Sequence, residues 1–334
     1  MSLLKFHTSG IYCEQGNFFI DPWVPVDYAL ITHAHSDHAR AGSKKYLCHT
    51  YTKPLLQYRL GEGIYETTEW NQPLYINGVK VSFHPAGHII GSSQIRVEYK
   101  GEVWVVSGDY KIENDGISGA FEPITCHHFI TESTFGLPIY NWLPQQKIFE
   151  EIQQWVMQNH SRQQTSVLIA YSLGKAQRLL PCLQQTGLPI YAHGAVYNIH
   201  QTLINSGHTL PMIFPITKET SPKEFAGNII IAPSSALDSP WIRKFTPYSV
   251  GICSGWMQVR GHQRRRNADA GFALSDHCDW KGLLQAINAT RAEQVYVTHG
   301  FQSVFSRYLN EQNIQASEVI TNYGNEEDET ASIV

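Results

Sequence analysis

The segment Thr32-His33-Ala34-His35-Ser36-Asp37-His38 places four potential metal ligands within six residues. His33 and His35 alternate, so on extended backbone both rings point the same way. Asp37 and His38 follow where the chain turns and can face a second ion. Imidazole with carboxylate suits zinc or manganese. Three more segments put an ionisable residue beside a glycine, which allows close backbone approach: Gly87-His88, Gly108-Asp109 and His299-Gly300. Singly, each has an ordinary reading as a core histidine or a turn aspartate. Together with the first segment they supply a two-metal site. Three histidines would hold one ion, Asp-His-His the other, with a carboxylate bridging ions about 3.5–4 Å apart. Such a pair lowers the pKa of water to about 7 and clamps the oxygens of a displacement reaction.

Short β-rich runs separated by Gly or Pro fill the first third of the chain, and strands are expected at 18–21, 28–32, 79–84, 94–99, 103–107 and 128–131. Several run directly into an ionisable residue, Asp21, His33, Asp109 or Glu132, which places it at a sheet edge. From about 145 the pattern alternates between helix and strand. Ile148, Phe149, Ile152, Trp155 and Val156 share a helical face. Strands at 167–171 and 229–232 and helices at 174–185 and 195–205 read as a parallel α/β unit. The earlier style then returns. A strand is expected at 272–275, a helix behind an Asp279 cap with Trp280, Leu283, Leu284 and Ile287 inward, and a strand at 294–298 ending at His299.

Composition narrows the class. The 334 residues are 42% hydrophobic and 16% charged, against roughly 25% charged in an average domain, which excludes disorder and a coiled coil. The 16 histidines beside 25 Lys+Arg raise the expectation of metal. A net charge of −4 leaves no global basic field, so any polyanion must meet a local patch. Six cysteines never come closer than 25 residues and form no C-x-x-C, the pattern of a reduced, cytoplasmic protein. The N-terminus has no signal-peptide core, and no apolar run is long enough for a membrane. The run 326–329 is acidic and reads as a solvated tail.

The order His33-x-His35-x-Asp37-His38, then His88, then Asp109, resembles the metallo-β-lactamase signature. That resemblance implies an α/β fold, an αβ/βα sandwich with a dinuclear site at the sheet edge. Asp21 matches the family's strand-end aspartate, which orients ligands rather than binding metal. The segments around Glu132, His277 and His299 resemble motifs A, B and C of the β-CASP nucleases, and the 145 residues between Glu132 and His277 suit an inserted domain. The implied organisation is a metallo-β-lactamase domain at 1–145, a β-CASP insert at 146–268, the domain's second part at 269–324, and an acidic tail at 325–334. Tyr171-Ser-Leu-Gly-Lys175-Ala-Gln, Ser254-Gly-Trp256-Met and the Arg260–Arg266 segment are most similar to bacterial ligase-associated exonucleases. That implies DNA repair beside a DNA ligase and a helicase. DNA-acting members commonly carry an apolar residue at motif C and RNA-acting members a histidine. Here it is His299.

The implied reaction is phosphodiester hydrolysis with two divalent ions, Zn²⁺ or Mn²⁺, for which Asp37 is read as both ligand and catalytic residue. By resemblance His277 protonates the leaving oxygen and Glu132 holds its ring, although the residue pattern alone leaves His277 open as a metal ligand. Arg260, Arg264 and Arg265, with Arg266, concentrate positive charge for phosphate, and Lys175 begins a helix. Trp256 could stack on a base or be core. The expected function is a DNA exonuclease, with a ribonuclease of the same type as the alternative. A small-molecule hydrolase would leave the insert and the arginines without a task.

Overall fold

The computed structural model describes residues 2–237, 239–259 and 268–319. The chain divides into two compact units, one built from its beginning up to Pro138 and again from His277, the other from Ile139–Asp276.

The first unit contains two sheets. One has the order β1 (Leu4–His7), β2 (Gly10–Cys13), β3 (Phe18–Ile20), β4 (Ala29–Leu30), β5 (Tyr46–His49), β6 (Tyr65–Thr68). Its first three strands are antiparallel, and β3 to β6 run parallel. Helix α1 (Lys53–Leu60) makes the crossover from β5 to β6. The other sheet contains β7 (Leu74–Ile76), β8 (Val79–Pro85), β9 (Ser93–Tyr99), β10 (Glu102–Val106) and β11 (His128–Ser133). Two strands from the end of the chain, β18 (Gln294–Gly300) and β19 (Ala316–Glu318), complete it beside β11. The period-2 alternation of β10 explains the layering. Trp104 and Val106 pack with Phe18, Ile20 and Leu30 of the first sheet. Val103 and Val105 turn the other way, onto α5 (Trp280–Thr290) and α6 (Gln302–Glu311) through Leu283, Ile287, Phe305 and Leu309. Each such burial contributes about 1.5–3 kcal/mol. Asp279 caps α5 by accepting from Gly282 N at 2.8 Å, as its position in the sequence predicts.

The second unit is an all-parallel sheet ordered β14 (Phe214–Pro215), β13 (Ile190–Ala192), β15 (Ile229–Ala232), β12 (Thr165–Ile169), β16 (Tyr248–Cys253), β17 (Ala270–Phe272). Leu168, Ile229 and Ile231 face α2 (Gln145–Ser161), α3 (Lys175–Gln184) and α4 (Gly194–Asn205). Val167, Ile169, Ile230 and Ile252 face Phe225, Ile242 and Phe245 on the opposite side. A sheet covered on both faces needs continuous apolar strands, which is why 229–232 reads Ile-Ile-Ile-Ala. The architecture is therefore the expected αβ/βα sandwich with an inserted α/β unit.

Two details depart from the sequence reading. The units change at 138/139 and 276/277, outside the expected 145/146 and 268/269. The segment before α2 packs inside the second unit, with Tyr140 edge-on to Trp256 at 5.5 Å and Gln258 donating to Asn141 O. The strand expected to open the returning part, β17, is instead the edge strand of the inserted sheet, paired with β16. β16, which the sequence reading does not name, contains Gly251; a Cβ there would stand 3.0 Å from the Phe272 ring and 3.1 Å from the Trp155 ring, a close approach that glycine permits. The expected tail at 325–334 lies outside the described residues. Among the described residues no helix is long and apolar enough to cross a membrane.

Candidate metal centre

The ends of β3, β4, β10, β11 and β18 converge in the first unit. Asp21 follows β3 at φ 43° and is fully buried. Its Oδ1 accepts from Thr32 N at 2.8 Å, and its Oδ2 accepts from Thr32 Oγ1 at 2.5 Å. His38 Nδ1 lies 2.8 Å from the same Oδ2, so it is the protonated nitrogen that donates, and Nε2 is left toward the cluster. The carboxylate thus locks both the turn after β4 and the His38 ring.

His33, His35, His88 and Asp109 bring four donor atoms within 4.8 Å of one another, and His38, Asp109 and His299 form a second such group. Asp109 is common to both. Its Oδ2 stands 3.4 Å from His33 Nε2, 3.4 Å from His38 Nε2 and 3.9 Å from His88 Nε2. Asp37 Oδ2 lies 3.4 Å from His38 Nε2 and 3.9 Å from His299 Nδ1. His35 Nδ1 lies 3.0 Å from His88 Nε2. All seven side chains are buried.

Backbone irregularities aim these groups. Pairing of β11 with β18 shifts register between Thr131 and Ser133, so Thr298 and His299 together oppose Glu132. His299 takes φ 54°, and Gly300 follows at φ 78°, where a Cβ would stand 2.3 Å from Ser133 O. Gly87, at φ 74°, leaves 2.2 Å between a Cβ and Lys111 O. The His88 loop is closed by Ser92 Oγ, which accepts from His88 N at 3.1 Å and Ile89 N at 3.2 Å.

Electrostatics match a cation site. Burial pushes His33 down to about 3, aided by the charge on His38, so its imidazole is neutral. Burial opposes charge on His38, but Asp37 and Asp109 outweigh it and hold the ring well above the usual histidine range. Burial raises Asp109 too, yet His38 and His33 hold it well below the usual carboxylate range. Among the described residues, His33 Nε2 and Asp109 Oδ1 are buried and make no hydrogen bond. Two buried polar atoms without a hydrogen bond, in a set of imidazoles and carboxylates, fit divalent metal.

Beside the cluster, His277 Nδ1 lies 2.9 Å and 3.1 Å from the two oxygens of Glu132. Glu132 also accepts from Tyr110 N at 2.9 Å and from Thr134 Oγ1. The His277 ring stands 4.5 Å from that of His88. Sequence reasoning missed Thr32, Thr134 and the buried Lys111, whose Nζ approaches His277 O at 3.5 Å. Only their nearness to Asp21, Glu132 and Asp109 in the chain could have pointed to them.

The expected substrate residues fare differently. Lys175 is buried in the second unit, and its Nζ meets Asp276 Oδ1 at 2.9 Å. Trp256 is half-buried against the apolar face of the inserted sheet rather than standing clear as a stacking surface. Arg260, Arg264 and Arg265 lie outside the described residues.

No protein-family model matches the chain. A protein named "Probable DNA ligase" from Opitutus terrae is 30% identical over 320 residues, covering 94% of this chain and 30% of its own length. "Endoribonuclease YSH1" of Eremothecium gossypii is 27% identical over 49% of this chain and 20% of its own length. "Cleavage and polyadenylation specificity factor subunit 3" of Dictyostelium discoideum is 26% identical over 42% and 20%, respectively. The chain thus spans no more than 30% of the length of these relatives. A crystal structure of a protein of unknown function from Enterococcus faecalis superimposes with a TM-score of 0.63 at 9% identity, covering 89% of this chain and 80% of that one.

A two-sheet sandwich with histidines and aspartates able to hold metal gathered at its strand ends defines the metallo-β-lactamase fold. With the inserted parallel unit and these relatives, the chain resembles the β-CASP nucleases within that fold.

Proposed function

We propose that the chain is a two-metal phosphodiesterase of nucleic acid. The observation that carries this reading is Asp109, whose carboxylate stands between two histidine groups while His277 waits beside them on Glu132. His33, His35 and His88 would hold one ion, and Asp37, His38 and His299 the other, with Asp109 shared. Bound there, two divalent ions, zinc or manganese, would neutralise phosphate charge and supply a water nucleophile at neutral pH. Asp21 keeps the proton of His38 on Nδ1. Glu132 holds His277 by Nδ1 in the same way and favours the doubly protonated ring, whose second N–H passes to the leaving oxygen and leaves the neutral imidazole on Glu132. Arg260, Arg264 and Arg265 would bind phosphates along the strand.

Within this reading we favour a DNA exonuclease of repair, working in the cytoplasm with a ligase and a helicase. The relative named as a DNA ligase, aligned over 94% of this chain, supports it, and six buried free thiols fit a reducing compartment. A second reading, RNA as substrate, is favoured by His299 in the second ligand group and by relatives named as endoribonucleases. The test is hydrolysis of 5′- and 3′-end-labelled single-stranded DNA, duplex DNA and RNA by protein reconstituted with Mn²⁺ or Zn²⁺. Stepwise loss of DNA ends supports the first reading. Selective RNA cleavage supports the second. Inactivity on all three with both ions bound refutes both.

A further inference from the structure

A group of aromatic side chains stands on the sheet edge that carries the metal ligands. Strands β4, β5 and β6 run parallel, so their C-terminal ends lie side by side. The end of β4 leads to His33 and His35, and the ends of β5 and β6 lead to His49 with Tyr51 and to Trp70. His49 stacks on Trp70 with ring centroids 4.1 Å apart and planes inclined by 12°. Tyr51 stands nearly upright on both, at 5.1 Å and 78° to His49 and at 6.1 Å and 89° to Trp70. The backing rings are fixed. His49 is buried, Trp70 Nε1 donates to Ser93 Oγ at 3.0 Å, and a Cβ on Gly119 would touch the Trp70 ring at 2.6 Å.

Tyr51 differs from its supports in being 40% exposed. It is joined to the ligand loop through its neighbour, because Thr52 Oγ1 donates to Gly91 O at 2.8 Å and Ser92 then holds His88 N. Adjacent strands lie about 4.8 Å apart, so the chain that carries Tyr51 leaves the sheet one strand away from the chain that leads to His33. Charge around the group is mixed. Glu69 is held by Thr50 at 2.6 Å and faces His49 at 3.7 Å, and Lys53 begins α1 two residues beyond Tyr51. A partly open aromatic ring backed by two further rings suits a flat, uncharged base better than a phosphate.

We propose that Tyr51, braced by His49 and Trp70, is a stacking subsite for one nucleobase of a single-stranded polynucleotide next to the metal centre. The inference rests on the nuclease reading for its ligand. Base–aromatic stacking is worth about 1–3 kcal/mol. For a ring already in contact on one side, the low end applies, about a fivefold change in affinity.

The test is fluorescence anisotropy with labelled oligothymidylate, with all-abasic oligodeoxyribose phosphate of equal length as the control. Both are measured on metal-loaded wild type, Tyr51→Leu and Tyr51→Phe. Tyr51→Leu should bind oligothymidylate about fivefold more weakly, Tyr51→Phe should match wild type, and all three should bind the abasic oligomer alike. Equal oligothymidylate binding by Tyr51→Leu and wild type overturns the subsite, as does an equal loss on the abasic oligomer. Circular dichroism and bound-metal content establish that Tyr51→Leu is folded. If it is not, Tyr51→His, which keeps a flat ring, and Tyr51→Thr carry the same comparison. Wild type that binds but does not hydrolyse oligothymidylate refutes the DNA-nuclease reading and leaves the subsite standing. Wild type that binds neither oligomer overturns both.

Discussion

Asp21→Asn is the sharpest test of how the ligands are oriented. The substitution keeps the shape and the φ of 43°, which asparagine tolerates, and changes the charge and one oxygen. Asp21 Oδ2 accepts from both Thr32 Oγ1 and His38 Nδ1. An amide NH₂ at that point faces a ring N–H, and the contact is relieved when His38 moves its proton to Nε2. That nitrogen then has no lone pair for a metal. Turning the amide instead gives the NH₂ group to Thr32 N, which is a donor at 2.8 Å. Either way one charge-assisted hydrogen bond is lost, worth about 1.5–3 kcal/mol, in line with about 10–100-fold in metal affinity for groups that orient a ligand. Competition titration of Mn²⁺ or Zn²⁺ against a chelator resolves the two binding steps. The expected result is one step weakened by at least tenfold, with the step assigned to His33, His35 and His88 changed less. Two binding steps at wild-type affinity in folded Asp21→Asn would refute the argument.

Other outcomes follow from the same geometry. Asp109→Asn should weaken both metal-binding steps, because its carboxylate is common to both donor groups, and loss of only one step would show that it serves a single ion. His277→Ala should keep two ions by elemental analysis while kcat falls about 10²–10⁴-fold for a lost general acid; a 4-nitrophenyl diester, with its better leaving group, should recover part of that loss, whereas a missing ion would make His277 a ligand. Lys175→Met should lower stability by about 3–5 kcal/mol in chemical denaturation, because it removes the ammonium facing buried Asp276, and an unchanged midpoint would return Lys175 to substrate binding. Neutralising Arg260 and Arg264 together should raise KM on long polynucleotides and flatten its salt dependence, and an unaltered salt slope would leave these residues as a solvated face.

The candidate ligands were legible because metal chemistry accepts few residue types and strand ends deliver them in short, glycine-flanked segments. His33 through His38, His88, Asp109 and His299 could each be named from local spacing, and the helical stripe from Ile148 to Val156 and the Asp279 cap announced their elements in the same local way. What binds what is a matter of distance between segments far apart in the chain. The sharing of Asp109 between two groups, the register shift that presents His299, and the pairing of Lys175 with Asp276 follow from three-dimensional packing. Strand β16 is not named in the sequence reading, and its Gly251 serves a neighbour, Trp155, and not its own strand propensity. Tyr51 was hidden for a related reason. In the sequence it is one tyrosine among 17, and only the parallel alignment of β4, β5 and β6 sets the end of its strand next to the end of the strand that leads to His33.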